Sequence, residues 1–515
     1  MEVKVPLYLT YMKPFLRLYL LLPILLSGCI QPVGGYEPWT LPDGTSTPTP
    51  LGEYQAQAYF APTRLPGSPI LTPTPDAPHA LPDLRSDPDT YVVQSGDTLG
   101  TIAEMYSTDV ETLMAANNLT NPNLLDVGQP LIIPALEPGE SGPDFKIIPD
   151  SELVFGPLSA SFDLQKFVTS ADGYLSNYSE VVEDRTLTGA DIVDKVSREY
   201  SVNPRLLLAV LEYQSGWVTN QTPPEDSLTY PIGWSDPNRI GLYRQLAWAA
   251  NALNRGYYTY GIGAYAAWVL TDKTVVPIAP TINAGTAGVQ HLMALLYGKN
   301  GWLRAVTEKG VFATFQTFFG YPFDLTIEPL LPSNLDQPHL QLPLEPGAAW
   351  SFTGGPHGGW GDGSAWAALD FAPPGDGQGC VTSNAWVVAA ADGIILRAEN
   401  GAVVQDLDGD GLEQTGWTLL YMHIAAQDRI LAGASVKAGE RIGHPSCEGG
   451  VSNGTHVHIA RRYNGIWIAA DGDVPFNLDG WISSGNGTQY NGELTRDDEV
   501  IEAWDRRTPY NQIEP

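Results

Sequence analysis

Apolar positions follow different periods in successive parts of the chain. An apolar run from Leu18 to Leu26 follows Lys4, Lys13 and Arg17. From Ile30 to Thr90 the pattern dissolves into Pro, Thr, Ser and Gly, a composition that cannot bury a core of its own. Between Tyr91 and Pro134 a short strand (Tyr91, Val92, Val93) precedes two helical faces: Ile102, Ala103 and Tyr106, then Val110, Leu113 and Met114. The first helix is capped by Asp97 or Thr98, and residues 127–134 supply a returning strand. From 151 to about 325 the period is helical: Thr188 and Asp191 form a capping box ahead of Ile192, Val193, Val196 and Tyr200. Asn203-Pro204 opens a helix burying Leu207, Leu208, Val210 and Leu211, and further helices are predicted over 242–254, 286–297 and 302–308. After Leu340 the runs become short and strand-like, broken by glycine: 386–391, 393–398, 417–424, 436–443 and 455–461.

Length and charge narrow this picture. The 515 residues allow roughly three domains. The 53 Gly and 43 Pro, with charged residues at only 17%, favour turns, linkers and β-structure over a helical bundle. A net charge of −31 repels nucleic acid and anionic membrane surfaces, so a nucleic-acid partner is not expected.

The basic start and apolar run read as a secretory signal over 1–28. Leu26-Ser27-Gly28-Cys29 resembles a bacterial lipobox, which implies cleavage before a lipid-modified Cys29 and an extracytoplasmic protein anchored to the cell membrane. Residues 29–90 would be a disordered tether. Tyr91-Val92-Val93, Gly96-Asp97-Thr98-Leu99, Ala116-Asn117-Asn118 and Gly128-Gln129-Pro130-Leu131 resemble a LysM domain over 91–134. That resemblance implies binding of N-acetylglucosamine-containing glycans, chiefly peptidoglycan.

A soft linker is expected over 135–150, ahead of a helical domain over 151–325. Tyr200, residues 204–210 and Ser215-Gly216 resemble the first part of a lytic transglycosylase (lysozyme-like) domain. That family places its acid directly before Ser-Gly, where this chain has Gln214. An amide cannot protonate a glycosidic oxygen, and Glu212, two positions back, points to the other side of the helix. The domain therefore reads as degenerate and non-catalytic. Trp217, Tyr243 and Trp248 could line a residual glycan groove, although aromatics at helical spacing are more often core.

Five of the eight histidines fall between 357 and 458. His456-Val457-His458 on a strand puts both rings on one face. With His423 after an apolar run and Asp370 in Ala368-Leu369-Asp370-Phe371, the chain offers ligand types for a three-ligand zinc with an open position. Leu369-Asp370-Phe371-Ala372, Tyr421-Met422-His423 and Gly454-Thr455-His456-Val457-His458 resemble the lysostaphin-type (LytM-like) zinc endopeptidases. The commoner first-histidine position holds Trp366. Thr353-Gly354-Gly355-Pro356-His357 instead resembles the beta-lytic (staphylolysin-like) branch. This implies an all-β peptidase domain over 341–475 with His357, Asp370 and His458 on Zn2+ and His423 and His456 as the catalytic pair, followed by a C-terminal extension over 476–515. His444 reads as a loop residue.

Asp406, Asp408, Asp410 and Gly411 resemble the start of an EF-hand Ca2+ loop. Trp417 stands where its bidentate Glu belongs, so a solvated acidic hairpin is the competing reading. Cys380 and Cys447, in an oxidising compartment, are expected to form a disulfide. The expected protein is multi-domain: a LysM β-α-α-β module, an α-helical lysozyme-like domain and a C-terminal all-β LytM-type peptidase domain. It would be a lipid-anchored zinc metalloendopeptidase cutting peptidoglycan peptides. The alternative is a peptidoglycan-binding or hydrolase-activating scaffold lipoprotein without turnover.

Overall fold

The computed structural model describes residues 73–515 except 95–96, 137–138 and 376. The signal segment 1–28, Cys29 and most of the 29–90 tether lie outside the described residues. Among the described residues no helix is long and apolar enough to cross a membrane.

The strands Asp89–Val92 and Pro130–Ile133 pair antiparallel, Tyr91 opposite Leu131, and carry the helices Leu99–Met105 and Val110–Ala116. Thr98 caps the first helix in a reciprocal box with Thr101, while Asp97 instead accepts from the Tyr91 hydroxyl and the Gln94 amide. Leu99, Ile102, Leu113, Leu131 and Ile133 form the small core.

Two segments expected to be loose are laid onto the body. Residues 73–88 have no regular structure, but the Asp76 and His79 amides donate to the carbonyls of Thr281 and Pro280, and Lys146 pairs with Asp76 at 2.6 Å. A proline-rich strip cannot make its own core, yet it can lend its amides to a surface that another domain has built. The tether also ends earlier than expected, because Asp89 and Thr90 already belong to the first strand. Within the 135–150 linker, Ile147 and Ile148 are fully buried in the helical core.

The middle region is helical with two small hairpins, Ser179–Val182 with Arg185–Thr188 and Ala267–Val269 with Val275–Pro277. Its main helices are Gly189–Tyr200, entered through the Thr188–Asp191 box, Pro204–Ser215, Leu242–Gly261 and Ala284–Leu296. Trp217 is fully buried and Trp248 stacks on Trp234 at 4.5 Å, so these rings are core and not a sugar platform. Tyr243 gives its hydroxyl to Glu199. Trp417, Ile466 and Ile468 of the C-terminal part join the same apolar cluster, making the helical core continuous with one face of the sheet.

That sheet is antiparallel and runs, from one edge, Ser435–Val436, Gly393–Glu399, Ala402–Asp406, Trp417–Met422, Val457–Tyr463, Ala368–Ala372, Trp350–His357 and Gln512–Ile513. The last strand belongs to the segment expected to be a mere extension. Residues 477–502 add a four-stranded sheet whose Leu478, Trp481, Leu494 and Ile501 share the core of the main sheet. The extension is thus part of the C-terminal domain. Glu413 is buried among Arg397 (2.5 Å), Arg462 (2.9 Å) and Arg198 (3.3 Å), the last reaching over from the helix Gly189–Tyr200.

Candidate metal centre

Three adjacent strands deliver the site. Val457–Tyr463 pairs with Ala368–Ala372 so that His458 stands directly opposite Asp370. The next strand, Trp350–His357, loses register twice, between Phe352 and Gly354 and again before His357. Those irregularities swing His357 over the pair. Gly354 makes room for the Asp370 side chain: a Cβ there would stand 2.7 Å from Asp370 Oδ2.

His357, Asp370 and His458 each place one ligand atom so that all lie within 4.8 Å of one another. His357 Nε2 and His458 Nδ1 are 2.9 Å apart, and each is 3.2 Å from Asp370 Oδ1. The other ring nitrogens fix the tautomers. His357 Nδ1 donates to Gly355 O (2.8 Å) and His458 Nε2 to Gly359 O (3.1 Å). A carbonyl only accepts, so those nitrogens carry the protons and the facing nitrogens present lone pairs. Asp370 Oδ1 is buried and accepts no hydrogen bond. Three lone pairs therefore converge, an arrangement that a single cation satisfies, and two imidazoles with a carboxylate are donors suited to zinc.

Electrostatics follow from this crowding. Burial alone would raise Asp370, but His357 and His456 beside it hold it well below the usual carboxylate range. Burial would lower His357, yet Asp370 outweighs it and raises it; for His458 burial prevails and the ring is lowered.

Two more histidines border the cluster. His423 follows the strand Trp417–Met422 in the left-handed region, φ 64°, where its carbonyl accepts from the Ser446 amide (2.7 Å) and hydroxyl (2.9 Å). A non-glycine residue at positive φ is costly, and here it aims the ring inward. Its Nδ1 bonds Glu448 O (3.0 Å), and burial, with His456 and His458 nearby, pushes its pKa down to about 3. His456 lies just ahead of the strand Val457–Tyr463. It bonds Gly454 O through Nδ1 (2.7 Å), turns Nε2 to 3.6 Å from Asp370 Oδ2 and packs 4.4 Å from the His423 ring. Cys380 and Cys447 are joined, tying residues 379–381 to the loop before His456, where Thr455 bonds Gly379 and Val381. His444 stays outside, packed on Trp386.

Asp406, Asp408 and Asp410 also lie close together. Asp406 accepts three amides of its own turn and Asp410 the Thr415 hydroxyl, bonds that shape the hairpin.

Sequence reasoning missed two features. Tyr490 stacks on His357 at 4.3 Å, its backbone paired with Gly355 and Pro356. It comes from the segment read as an extension, and no motif marks it. The carbonyls of Gly355, Gly359 and Gly454 that orient the imidazoles are equally silent, though the clustered glycines around each histidine were a usable signal.

An antiparallel sheet thus presents a His-Asp-His cluster, flanked by two more histidines, with the donor set of a metal centre. Comparison agrees. Residues 146–331 match the family model for the LasA N-terminal domain, and residues 91–134 match that for the LysM domain. Protease LasA of Pseudomonas aeruginosa (strain UCBPP-PA14) is 26% identical over 347 residues, covering 63% of this chain and 75% of the relative. The N-acetylmuramoyl-L-alanine amidase XlyA of Bacillus subtilis (strain 168) is 44% identical over 61 residues, 12% of this chain and 20% of the amidase. Among solved structures, the M23 metalloprotease pseudoalterin aligns at TM-score 0.27 and 24% identity, over 33% of this chain and 97% of its own. The catalytic domain of lysostaphin from Staphylococcus simulans aligns at 0.18 and 23%, over 24% and 89%. The chain is thus similar to Protease LasA over 347 residues and carries a segment that matches the LysM model.

Proposed function

We propose that the chain is a zinc-dependent endopeptidase of peptidoglycan peptides, held to the wall polymer by its LysM domain and to the membrane by lipid on Cys29. The observation that carries the enzymatic reading is the convergence of three lone pairs from His357, Asp370 and His458 beside two further histidines. The name of the LasA relatives supports protease chemistry, and that of XlyA supports a wall substrate. Anchoring rests on the lipobox resemblance alone.

Zinc would be held by His357 Nε2, Asp370 and His458 Nδ1, and when bound it supplies Lewis acidity to a peptide carbonyl and to water. The rest falls to the chain's own side chains. His423, with Nδ1 bonded to Glu448 O, would be the base, taking a proton at Nε2. His456, whose ring packs 4.4 Å from that of His423, would help return that proton to the departing amine. Both are aimed before substrate arrives, so little reorganisation is needed in the transition state.

The helical region is read as non-catalytic. Gln214, at the position of the missing acid, is engaged by the Tyr297 hydroxyl at 2.7 Å, and Glu212 caps the amides of Val218 and Thr219.

The test is digestion of purified sacculi with the full chain and mass spectrometry of the new amino termini. New termini within the wall peptides support the reading. A zinc-loaded protein that sediments with sacculi and releases no peptide replaces it with the scaffold reading.

A further inference from the structure

We propose that Arg255 is a positioning residue for the metal centre, and that Glu104 of the LysM domain acts on that centre through it. This rests on the metal reading above.

The helix Leu242–Gly261 presents Asn251 and Arg255, one turn apart on the same face, to the turn 358–365. Asn251 accepts from the Gly363 amide (2.9 Å) and donates to Asp362 Oδ1 (2.5 Å). Arg255 Nη2 pairs with Asp362 Oδ2 (2.7 Å) and donates to Asp362 O (3.2 Å). The turn is closed on itself by Gly359 N to Ala365 O (3.1 Å) and Trp360 N to the Ser364 hydroxyl (3.0 Å). Its Gly359 carbonyl receives the Nε2 proton of His458. The element gripped by Arg255 therefore also sets the tautomer and ring angle of a proposed ligand. Groups holding a metal-ligating imidazole affect metal affinity and activity strongly.

The other edge of the guanidinium belongs to the LysM domain. Arg255 Nη1 pairs with Glu104 Oε2 at 2.6 Å, and Glu104 Oε1 lies 2.9 Å from His291 Nε2. His291 Nδ1 lies 2.7 Å from Ala252 O, so the ring bridges Glu104 to the helix Leu242–Gly261 that carries Arg255. The Arg255 side chain is 15% exposed and that of Glu104 26%, so solvent screens this part of the network only partly. A planar fork can serve two carboxylates through separate nitrogens, which a lysine ammonium does not reproduce. Glu104 thus fixes the edge from which Arg255 holds Asp362, and LysM docking reaches His458 through one side chain.

The experiment compares the full chain with Arg255→Ala, Arg255→Lys and Glu104→Gln. Lys273→Ala is the control, removing a LysM contact (Asp109, 3.3 Å) in which neither Arg255 nor Glu104 takes part. Three quantities are read: amide exchange of residues 358–365, the rate at which a chelator strips zinc, and kcat and KM on a short glycine-rich peptide without sugar. Arg255→Ala and Glu104→Gln should speed exchange and zinc loss by about 2- to 30-fold and lower kcat with KM little changed. Arg255→Lys should fail to restore them, and Lys273→Ala should match the parent chain. Unchanged exchange in 358–365 for both Arg255→Ala and Glu104→Gln overturns the coupling, whatever the melting temperature does. Should Arg255→Ala not fold, Glu104→Gln decides. A parent chain that takes up no zinc overturns the metal reading instead, and the exchange result still judges the clamp.

Discussion

His357 Nε2 and His458 Nδ1 stand 2.9 Å apart, and neither can donate to the other while both rings are neutral, because each has committed its proton to a backbone carbonyl. Neutral imidazoles left so would repel. The arrangement makes sense as one built around a cation, with Asp370 contributing the balancing charge.

His423 and His456 divide from the three ligands in their expected behaviour. His423→Ala and His456→Ala should keep zinc and lose activity by about 10²-fold or more, the scale of a lost acid-base group. Metal content and turnover of each variant check this. Loss of zinc in His423→Ala would instead put that ring among the ligands.

Glu413 should make the protein acid-sensitive. Burial opposes its charge, but Arg397, Arg462 and Arg198 prevail and pull its pKa down to about 2. A depressed carboxylate contributes stability that is fully present above its ordinary value of 4.5 and is lost as pH falls toward 2, about 3 kcal/mol at the outside. Glu413→Gln should lower the melting temperature near neutrality, since it leaves three arginines without their counter-charge. The gap between the two proteins should narrow as pH falls from 5 to 3. An equal gap at every pH would show that Glu413 acts by shape and not by charge.

Reduction of Cys380–Cys447 should loosen the wall beside His456. The closed loop spans 67 residues, which in the chain-entropy account is worth about 4 kcal/mol. Cys380→Ser with Cys447→Ser should therefore melt earlier and exchange faster at 379–381 and 452–456. Unchanged exchange there would mean that the Thr455 bonds to Gly379 and Val381 suffice.

The legible parts of the sequence were those written in side chains. The Thr188–Asp191 box, the Asn203-Pro204 start and the three candidate ligands each depend on a residue type at a spacing, and the structure places them together. What hid from view depends on neighbours distant in sequence. The helix read over 242–254 runs on to Gly261, because Gly256 is not a stop but a crossing point: a Cβ there would stand 2.5 Å from the His291 side chain. The run read over 436–443 is two short strands parted by a turn with Gly439 at φ 85°. Tyr490 reaches His357 only because residues 477–502 fold back as a second sheet.

The most direct measurement is the zinc content of the purified full chain, by mass spectrometry of the metal, beside His357→Ala, Asp370→Ala and His458→Ala. The account predicts one zinc per parent chain and loss of stoichiometric metal from each variant, because three protein ligands leave no redundancy. A parent chain that takes up no zinc when it is offered, or a His458→Ala chain that keeps one, would contradict it.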